Sequence, residues 1–254
     1  MSPDPTLGRP GRRPRPTPRD ADPNRPGPMA TLTWHGHSTC TLETPGGKRV
    51  VIDPFFAENP ATETTVDEVG PVDFILVSHG HFDHFADCEP LARATGATVV
   101  GTFEIVSFLE SRGIENGHGM NIGGGHHFEG VGYVKLTPAI HTGSIAGSDV
   151  GTDSSGFLIR LDGKCFYHAG DTALTRDMEL LRGQVDVALL PIGDNFTMGP
   201  RDAVRAVEFI QPDVVIPIHY DTWDLIAQDP EEFRTMVGNR ARVEILEPGG
   251  RYDF

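Results

Sequence analysis

The chain reads as an α/β protein, and three observations carry that reading. Short apolar runs such as Phe74-Ile75-Leu76-Val77 and Val214-Val215-Ile216 have the length of buried strands and lie between turn-forming residues. Segments with helical spacing are interposed: Ala203, Ala206, Val207 and Ile210 fall at i, i+3, i+4 and i+7, one apolar face. A hydrophobic content of 38% with 30 glycines suits a loop-rich α/β enzyme better than a helical bundle. With 254 residues there is enough chain for one large domain or two small ones around a substantial core.

Residues 1–28 stand apart. They hold nine prolines, six arginines and three aspartates, and almost no large apolar side chains. Such a segment buries too little surface to order itself, so a disordered Pro/Arg-rich leader is expected, or a start codon assigned too far upstream. It lacks the apolar stretch of a secretory signal, and its prolines and aspartates fit a transit peptide poorly. Binding of an anionic partner is a weaker reading. The folded domain is expected over 29–254. The formal charge is −15, and the leader's +3 leaves −18 on that domain, which argues against a nucleic-acid groove. No run of 18 apolar residues occurs, so no membrane span is expected. Cys40, Cys88 and Cys165 are odd in number and widely spaced, as expected of reduced thiols in a cytoplasmic protein.

The domain opens with Leu32 to Glu43 and returns through Arg49 to Pro54 around Pro45-Gly46-Gly47-Lys48, a hairpin pattern in which His35 and His37 share a face. Residues 55–70 are polar and read as a loop near a site mouth. The run 74–77 is a strand, and Ser78-His79-Gly80-His81-Phe82-Asp83-His84 follows it. Asp87 to Ala94 reads as a helix, 97–101 as a strand, and Glu104 to Ser111 as a helix stopped at Gly113. His118, His126 and His127 lie among glycines and read as exposed loop residues; no Lys-Ser/Thr accompanies those glycines, so they make no phosphate loop. Val131 to His141 is a strand with a histidine at its end. Residues 142–153 are small, as in a loop facing substrate. A second hairpin, 156–161 and 164–168, turns at Asp162-Gly163 and leads through His168 to Asp171. Leu174 to Leu181 looks helical, so Asp171 taken alone reads equally as its N-cap. A strand at 185–193, the polar stretch from Asp194 and Asn195 to Pro200, a helix, and a strand ending at His219 come next. One helix and a closing strand are expected in 230–254.

The stretch 79–84 carries the chemistry. His79 and His81 are two apart and project to one side of an extended backbone, while Asp83 and His84 follow where the chain turns. One pair could take one cation and the other pair a second. Neutral imidazole and carboxylate suit zinc, and also iron or manganese. A merely His-rich surface loop is the bland explanation; four ligand types together at a strand end outweigh it.

His79-Gly80-His81-Phe82-Asp83-His84 resembles the His-x-His-x-Asp-His signature of the metallo-β-lactamase-fold hydrolase superfamily. The resemblance implies an αβ/βα four-layer sandwich, two mixed β-sheets flanked by helices, with two divalent metal ions at one edge: zinc first, manganese or iron as alternatives. It assigns His79, His81 and His141 to one metal, Asp83, His84 and His219 to the other, and Asp171 to the bridge. A water shared by two cations has its pKa lowered toward ~7, and the hydroxide attacks a carbonyl or phosphorus. Asp83 and Asp171 are then the catalytic carboxylates. Gly36-His37-Ser38 and Gly193-Asp194-Asn195-Phe196-Thr197-Met198-Gly199 are similar to the UPF0173 (YtkL-like/UlaG-like) branch. This implies His37 beside the metals, with His168, Asp194 and Asn195 behind the ligands or against substrate, and Asp53 supporting the ligand loop. Asp83, His168 or His37 could protonate the leaving group. Trp34, Phe55, Phe56 and Trp223 are pocket or core, with Trp223 favoured for the pocket edge.

The expected function is therefore metal-dependent hydrolysis of a lactone, carboxylic ester or phosphodiester in a small-molecule substrate. β-Lactam hydrolysis is disfavoured by the bridging aspartate, diiron redox chemistry by the lack of a flavin domain, and tRNA processing by the lack of a binding arm and positive surface. The alternative is a non-catalytic metal-binding sensor or scaffold of the same fold. Neither a membrane nor a nucleic acid is an expected partner, and a homo-oligomer remains compatible.

Overall fold

A computed structural model describes residues 29–254; the leader and the expectations placed on it lie outside the described residues. Two seven-stranded mixed sheets face each other. The first is built from β1 (Thr31–Trp34), β2 (Cys40–Glu43), β3 (Arg49–Ile52), β4 (Phe74–Leu76), β5 (Thr98–Thr102), β6 (Gly117–Met120) and β14 (Arg251–Asp253). Its strand order is β14-β1-β2-β3-β4-β5-β6. The second contains β7 (Gly125–Phe128), β8 (Gly132–Pro138), β9 (Ser155–Leu161), β10 (Lys164–His168), β11 (Val187–Pro191), β12 (Val214–Ile218) and β13 (Arg242–Val243), in the order β13-β12-β11-β10-β9-β8-β7. Helices α1 (Phe82–Phe85), α2 (Cys88–Thr95) and α3 (Phe103–Ser111) belong to the first half, and α4 (Pro200–Ile210) and α5 (Pro230–Val237) to the second. This is the αβ/βα four-layer sandwich.

Strand alternation explains the layering. In β3, Val50 and Ile52 join the core between the sheets, packed with Leu136, Phe157 and Ile159. Val51 points the other way and joins Leu91, Ile105 and Leu109 under the outer helices. On the other side α4 buries Ala203, Ala206, Val207 and Ile210, the face its spacing marked out. The strands that carry chemistry all finish at one edge: β3 and β4 run parallel, as do β10, β11 and β12. Ser155 N–H donates to Ser78 O (3.0 Å), tying the two sheets together at that edge.

Several local expectations are corrected. Leu32 to Glu43 is two antiparallel strands, because Gly36 (φ +96°) and His37 (φ +53°) turn the chain sharply. His35 and His37 therefore do not share a face. His118, His126 and His127 sit on strands β6 and β7, not in loops; backbone pairing to β5 and β8 supplies the order that their Gly-rich sequences conceal. The segment before β11 is a 3-10 helix, Arg176–Leu181, capped by Thr175, so Asp171 is not a helix cap. The C-terminal part adds two short strands, one to each sheet. Of the two readings left open for Trp34, Phe55 and Phe56, pocket or core, their burial decides for the core.

Candidate metal centre

Five segments deliver histidines or aspartates to one edge of the sandwich. The stretch after β4 brings His79 and His81, and α1 brings Asp83 and His84. His141 follows β8, Asp171 follows β10, and His219 follows β12. The β1–β2 turn adds His37. The ring nitrogens of His79, His81 and His141 lie within 4.8 Å of one another. So do ligand atoms of His37, Asp83, His84 and His219, and those of His79, His84 and Asp171. Asp171 Oδ2 is central: His219 Nε2 is 3.0 Å away, His84 Nε2 3.3 Å, His141 Nε2 3.6 Å and His79 Nε2 4.0 Å.

The donor set fits divalent cations. His84 Nε2, Asp171 Oδ1 and both ring nitrogens of His219 are buried with no hydrogen-bond partner. A buried polar atom left unpaired costs about 1–3 kcal/mol, and cations would satisfy His84 Nε2, Asp171 Oδ1 and one nitrogen of His219. His79 Nε2 and His141 Nε2 converge on His81 Nδ1 at 3.0 and 3.2 Å, three nitrogens around one point.

Buried hydrogen bonds set the tautomers. Asp53 Oδ1 accepts from Ser78 N–H (2.7 Å), and Oδ2 accepts from Ser78 Oγ (2.7 Å) and from His84 Nδ1 (2.8 Å). A carboxylate only accepts, so His84 Nδ1 carries a proton and Nε2 is the nitrogen that faces the cluster. Ser78 spends its one proton on Asp53, so it accepts from His79 Nδ1 (3.0 Å), leaving His79 Nε2 free. On the other flank, His37 Nε2 donates to Asp83 Oδ2 (3.0 Å), and His37 Nδ1 accepts from Thr222 Oγ1 (2.7 Å). Burial, then the neighbouring His219, push the His37 pKa down to about 3, so this imidazole holds Asp83 as a neutral donor.

Burial and neighbouring charges compete at each group of the cluster. Burial, reinforced by His84, pushes His79 well below the usual histidine range. At His84 burial opposes the charge, but Asp171, Asp83 and Asp53 prevail and raise its pKa well above the ordinary value. At Asp171 burial is likewise outweighed, by His219 and His84, and the carboxyl is held well below the usual range. A cation held here would take the place of the proton that His84 carries between these carboxylates.

Backbone conformations aim the clustered side chains. His219 (φ +54°) and His37 (φ +53°) are both left-handed, and His219 N–H donates to His37 O (2.9 Å). Trp34 Nε1 donates to the same carbonyl (3.0 Å), so the turn that presents His37 is fixed from two sides. Gly80 N–H donates to Thr152 Oγ1 (3.0 Å), and a Cβ at Gly80 would stand 2.8 Å from Ile145 Cγ1. Only glycine lets the ligand loop lie against the 142–153 segment.

Three expected site residues do not reach the cleft. His168 is fully buried; its Nε2 donates to Ser38 O (3.0 Å) and its Nδ1 accepts from Gly170 N–H (3.1 Å). It therefore has no proton for a leaving group and fixes the turn that presents Asp171. Asp194 and Asn195 are exposed, both left-handed, and occupied within their own turn, Asp194 Oδ1 accepting from Asn195 N–H (2.8 Å). The residue that this turn presents to the cleft is Phe196. The cleft has a volume of about 460 Å³ and is lined by His81, Asp83, His141, Asp171 and His219 together with Phe82, Phe196, Trp223 and Leu225. A larger concavity, about 670 Å³, lies on the outer face of the second sheet around Tyr133, Lys135 and Arg160, and none of the clustered residues lines it.

A His/Asp cluster able to bind metal, at the strand-end edge of an αβ/βα sandwich, defines the metallo-β-lactamase class of metal-dependent hydrolases. The family model for the beta-lactamase superfamily domain matches residues 48–220. A UPF0173 metal-dependent hydrolase of Staphylococcus carnosus is 45% identical over 88% of this chain and 99% of its own length. Another from Pelotomaculum thermopropionicum is 46% identical over 86% and 97%. The solved structure of Igni18, a metallo hydrolase from the archaeon Ignicoccus hospitalis, superposes with a TM-score of 0.80 at 36% identity, covering 89% of this chain and 98% of that one. The chain belongs to the UPF0173 family of metal-dependent hydrolases. Among the described residues no helix is long and apolar enough to cross a membrane.

Proposed function

We propose that the chain hydrolyses an ester-type bond in a small-molecule substrate with two divalent cations, zinc first, at this edge. His79, His81 and His141 would hold one, Asp83, His84 and His219 the other, and Asp171 would lie between them. The observation that carries the reading is Asp171 Oδ2, within 4.0 Å of four histidine Nε2 atoms while Oδ1 stays buried and unpaired. When bound, such cations supply Lewis acidity and a water of lowered pKa.

The protein's own residues do the rest. Asp53 and Ser78 hold the Nδ1 protons of His84 and His79, so that in each ring Nε2 is the nitrogen turned toward a cation. Asp83, steadied by His37, has a carboxylate at the cleft surface able to orient water and receive its proton. Cys40, Cys88 and Cys165 are free and buried, which supports a cytoplasmic setting.

The test is metal content and turnover together. The purified chain reconstituted with zinc or manganese should hold two equivalents and cleave p-nitrophenyl acetate or bis(p-nitrophenyl) phosphate. Asp171→Ala should lose at least one equivalent and about 100-fold or more in turnover. Turnover that survives complete chelation, or one tightly held equivalent in the unsubstituted chain, would refute the two-cation reading.

A further inference from the structure

Large apolar side chains are costly to leave in water, so where they gather on a surface they mark something to be covered. Three of the eight exposed large apolar side chains among the described residues stand around the His/Asp cleft: Phe82 (47% exposed), Phe196 (51%) and Leu225 (63%), with Trp223 beside them. They come from three separate segments, the start of α1 and two hydrogen-bonded turns. Phe82 sits between the ligands His81 and Asp83 and packs edge-on to buried Phe55 (5.8 Å). Phe196 is carried by the two left-handed residues Asp194 and Asn195, and its N–H donates back to Asp194 O. Leu225 lies on the 3-10 turn Asp224–Ile226, anchored by buried Ile226. Asp221 pins the ends of that turn, its N–H donating to Ile226 O (3.0 Å) and its Oδ1 accepting from Gln228 N–H (2.8 Å). Gln228 Nε2 then donates to Gly193 O (3.3 Å), coupling the Leu225 turn to the Phe196 turn. The apolar rim is thus rigid and preformed.

The charge of the cleft points the same way. No lysine or arginine lines it, and its two carboxylates, Asp83 and Asp171, belong to the cluster itself. A phosphodiester or other anionic substrate would meet no protein cation beyond what the ligands hold, against a domain of charge −18. We infer that the substrate is an uncharged carboxylic ester or lactone whose apolar acyl group lies against Phe82, Phe196, Trp223 and Leu225. This rests on the proposed hydrolytic function and narrows it. In the reaction the oxygen of water bonds to the acyl carbon, the acyl carbon–oxygen bond breaks, and the leaving oxygen takes up a proton. The products are a carboxylic acid and an alcohol, or a hydroxy acid from a lactone.

The experiment uses the zinc-reconstituted full chain with p-nitrophenyl acetate, butanoate and hexanoate, mono-p-nitrophenyl adipate, and bis(p-nitrophenyl) phosphate. kcat/KM should rise about threefold per methylene from acetate to hexanoate, since each buried methylene favours the bound state. The adipate, which adds a terminal carboxylate, should fall at least tenfold below the hexanoate, and the diester lower still. Phe196→Ser and Leu225→Ser, both at exposed positions, should each flatten the series, lowering hexanoate turnover by about tenfold and acetate turnover less. As a separate readout, hexanamide should change the tryptophan fluorescence of the metal-free chain saturably, the change vanishing in Trp223→Phe, while inorganic phosphate does nothing. A flat series, a preference for the diester, or no response to hexanamide overturns the inference and leaves the hydrolase standing. If the zinc-loaded chain cleaves none of these substrates, the proposed function fails and takes the inference with it.

Discussion

Asp53→Asn replaces one oxygen by an NH2 group in a fully buried position, and the arrangement around it decides which oxygen. Asp53 has φ +48°, a conformation asparagine tolerates nearly as well as aspartate, so the backbone cost is small. The amide oxygen will take the place of Oδ1, where it keeps the Ser78 N–H bond. The amide nitrogen then faces His84 Nδ1, where Oδ2 stood at 2.8 Å. Two donors cannot share that contact. His84 must move its proton to Nε2, the atom aimed at the cluster, and a protonated nitrogen cannot ligate a metal. Misorientation of a ligand from behind typically lowers metal affinity 10–100-fold, about 1.4–2.7 kcal/mol. The disturbed Ser78 and His84 hydrogen bonds should cost roughly 2–3 kcal/mol of stability in addition. Chelator competition gives the affinity, and thermal unfolding of the metal-free chain gives the stability. If Asp53→Asn binds zinc as tightly as the parent, Asp53 does not set the His84 tautomer and the hydrogen-bond argument is wrong.

Other substitutions test neighbouring steps. Ser78→Ala removes the acceptor of the His79 Nδ1 proton and should weaken zinc binding about tenfold, read by the same competition assay. Gly80→Ala puts a methyl 2.8 Å from Ile145 Cγ1 and should cost about 1–3 kcal/mol, seen as a melting temperature lower by several degrees. His35 is buried against Phe56, and burial first, then Arg49, lower its pKa to about 4. Between pH 6.5 and 4 the unfolded chain therefore binds the extra proton, and stability falls as pH falls through that window. His35→Phe should remove up to about 3 kcal/mol of that acid sensitivity in denaturant titrations at pH 4 and 7; an unchanged acid limb would count against it.

The members of the cluster could be read from the chain because most of them follow the end of an apolar strand, a pattern that survives without coordinates. His141 and His219 announce themselves this way, as do the four residues of 79–84. What could not be read is direction. Nothing in Gly36-His37-Ser38 says that two residues turn left-handed and send His37 onto Asp83 while His35 goes to Thr41. His168 looked like a candidate acid because it precedes Asp171, yet long-range packing assigns both its nitrogens to backbone groups, one of them 130 residues distant. Strands β6 and β7 were hidden for a different reason. Their glycines and histidines show no alternation, and only their neighbours in the sheets make them strands. The polar Asp194-Asn195 pair masked Phe196 in the same manner: the conspicuous residues build the turn, and the quiet one meets the cleft.

The atoms of the His/Asp cluster are divided between the layers. His79 to His84 issue from the first sheet, whereas His141, Asp171 and His219 issue from the second. Cations shared by the two groups would act as a rivet through the sandwich, so occupancy and cohesion become one equilibrium. At zinc concentrations 1,000 times the dissociation constant, one such rivet adds about 4 kcal/mol to the folded state. Metal starvation would then loosen the joint between the halves in the same step that idles the enzyme, and turnover of the protein itself would follow the metal supply.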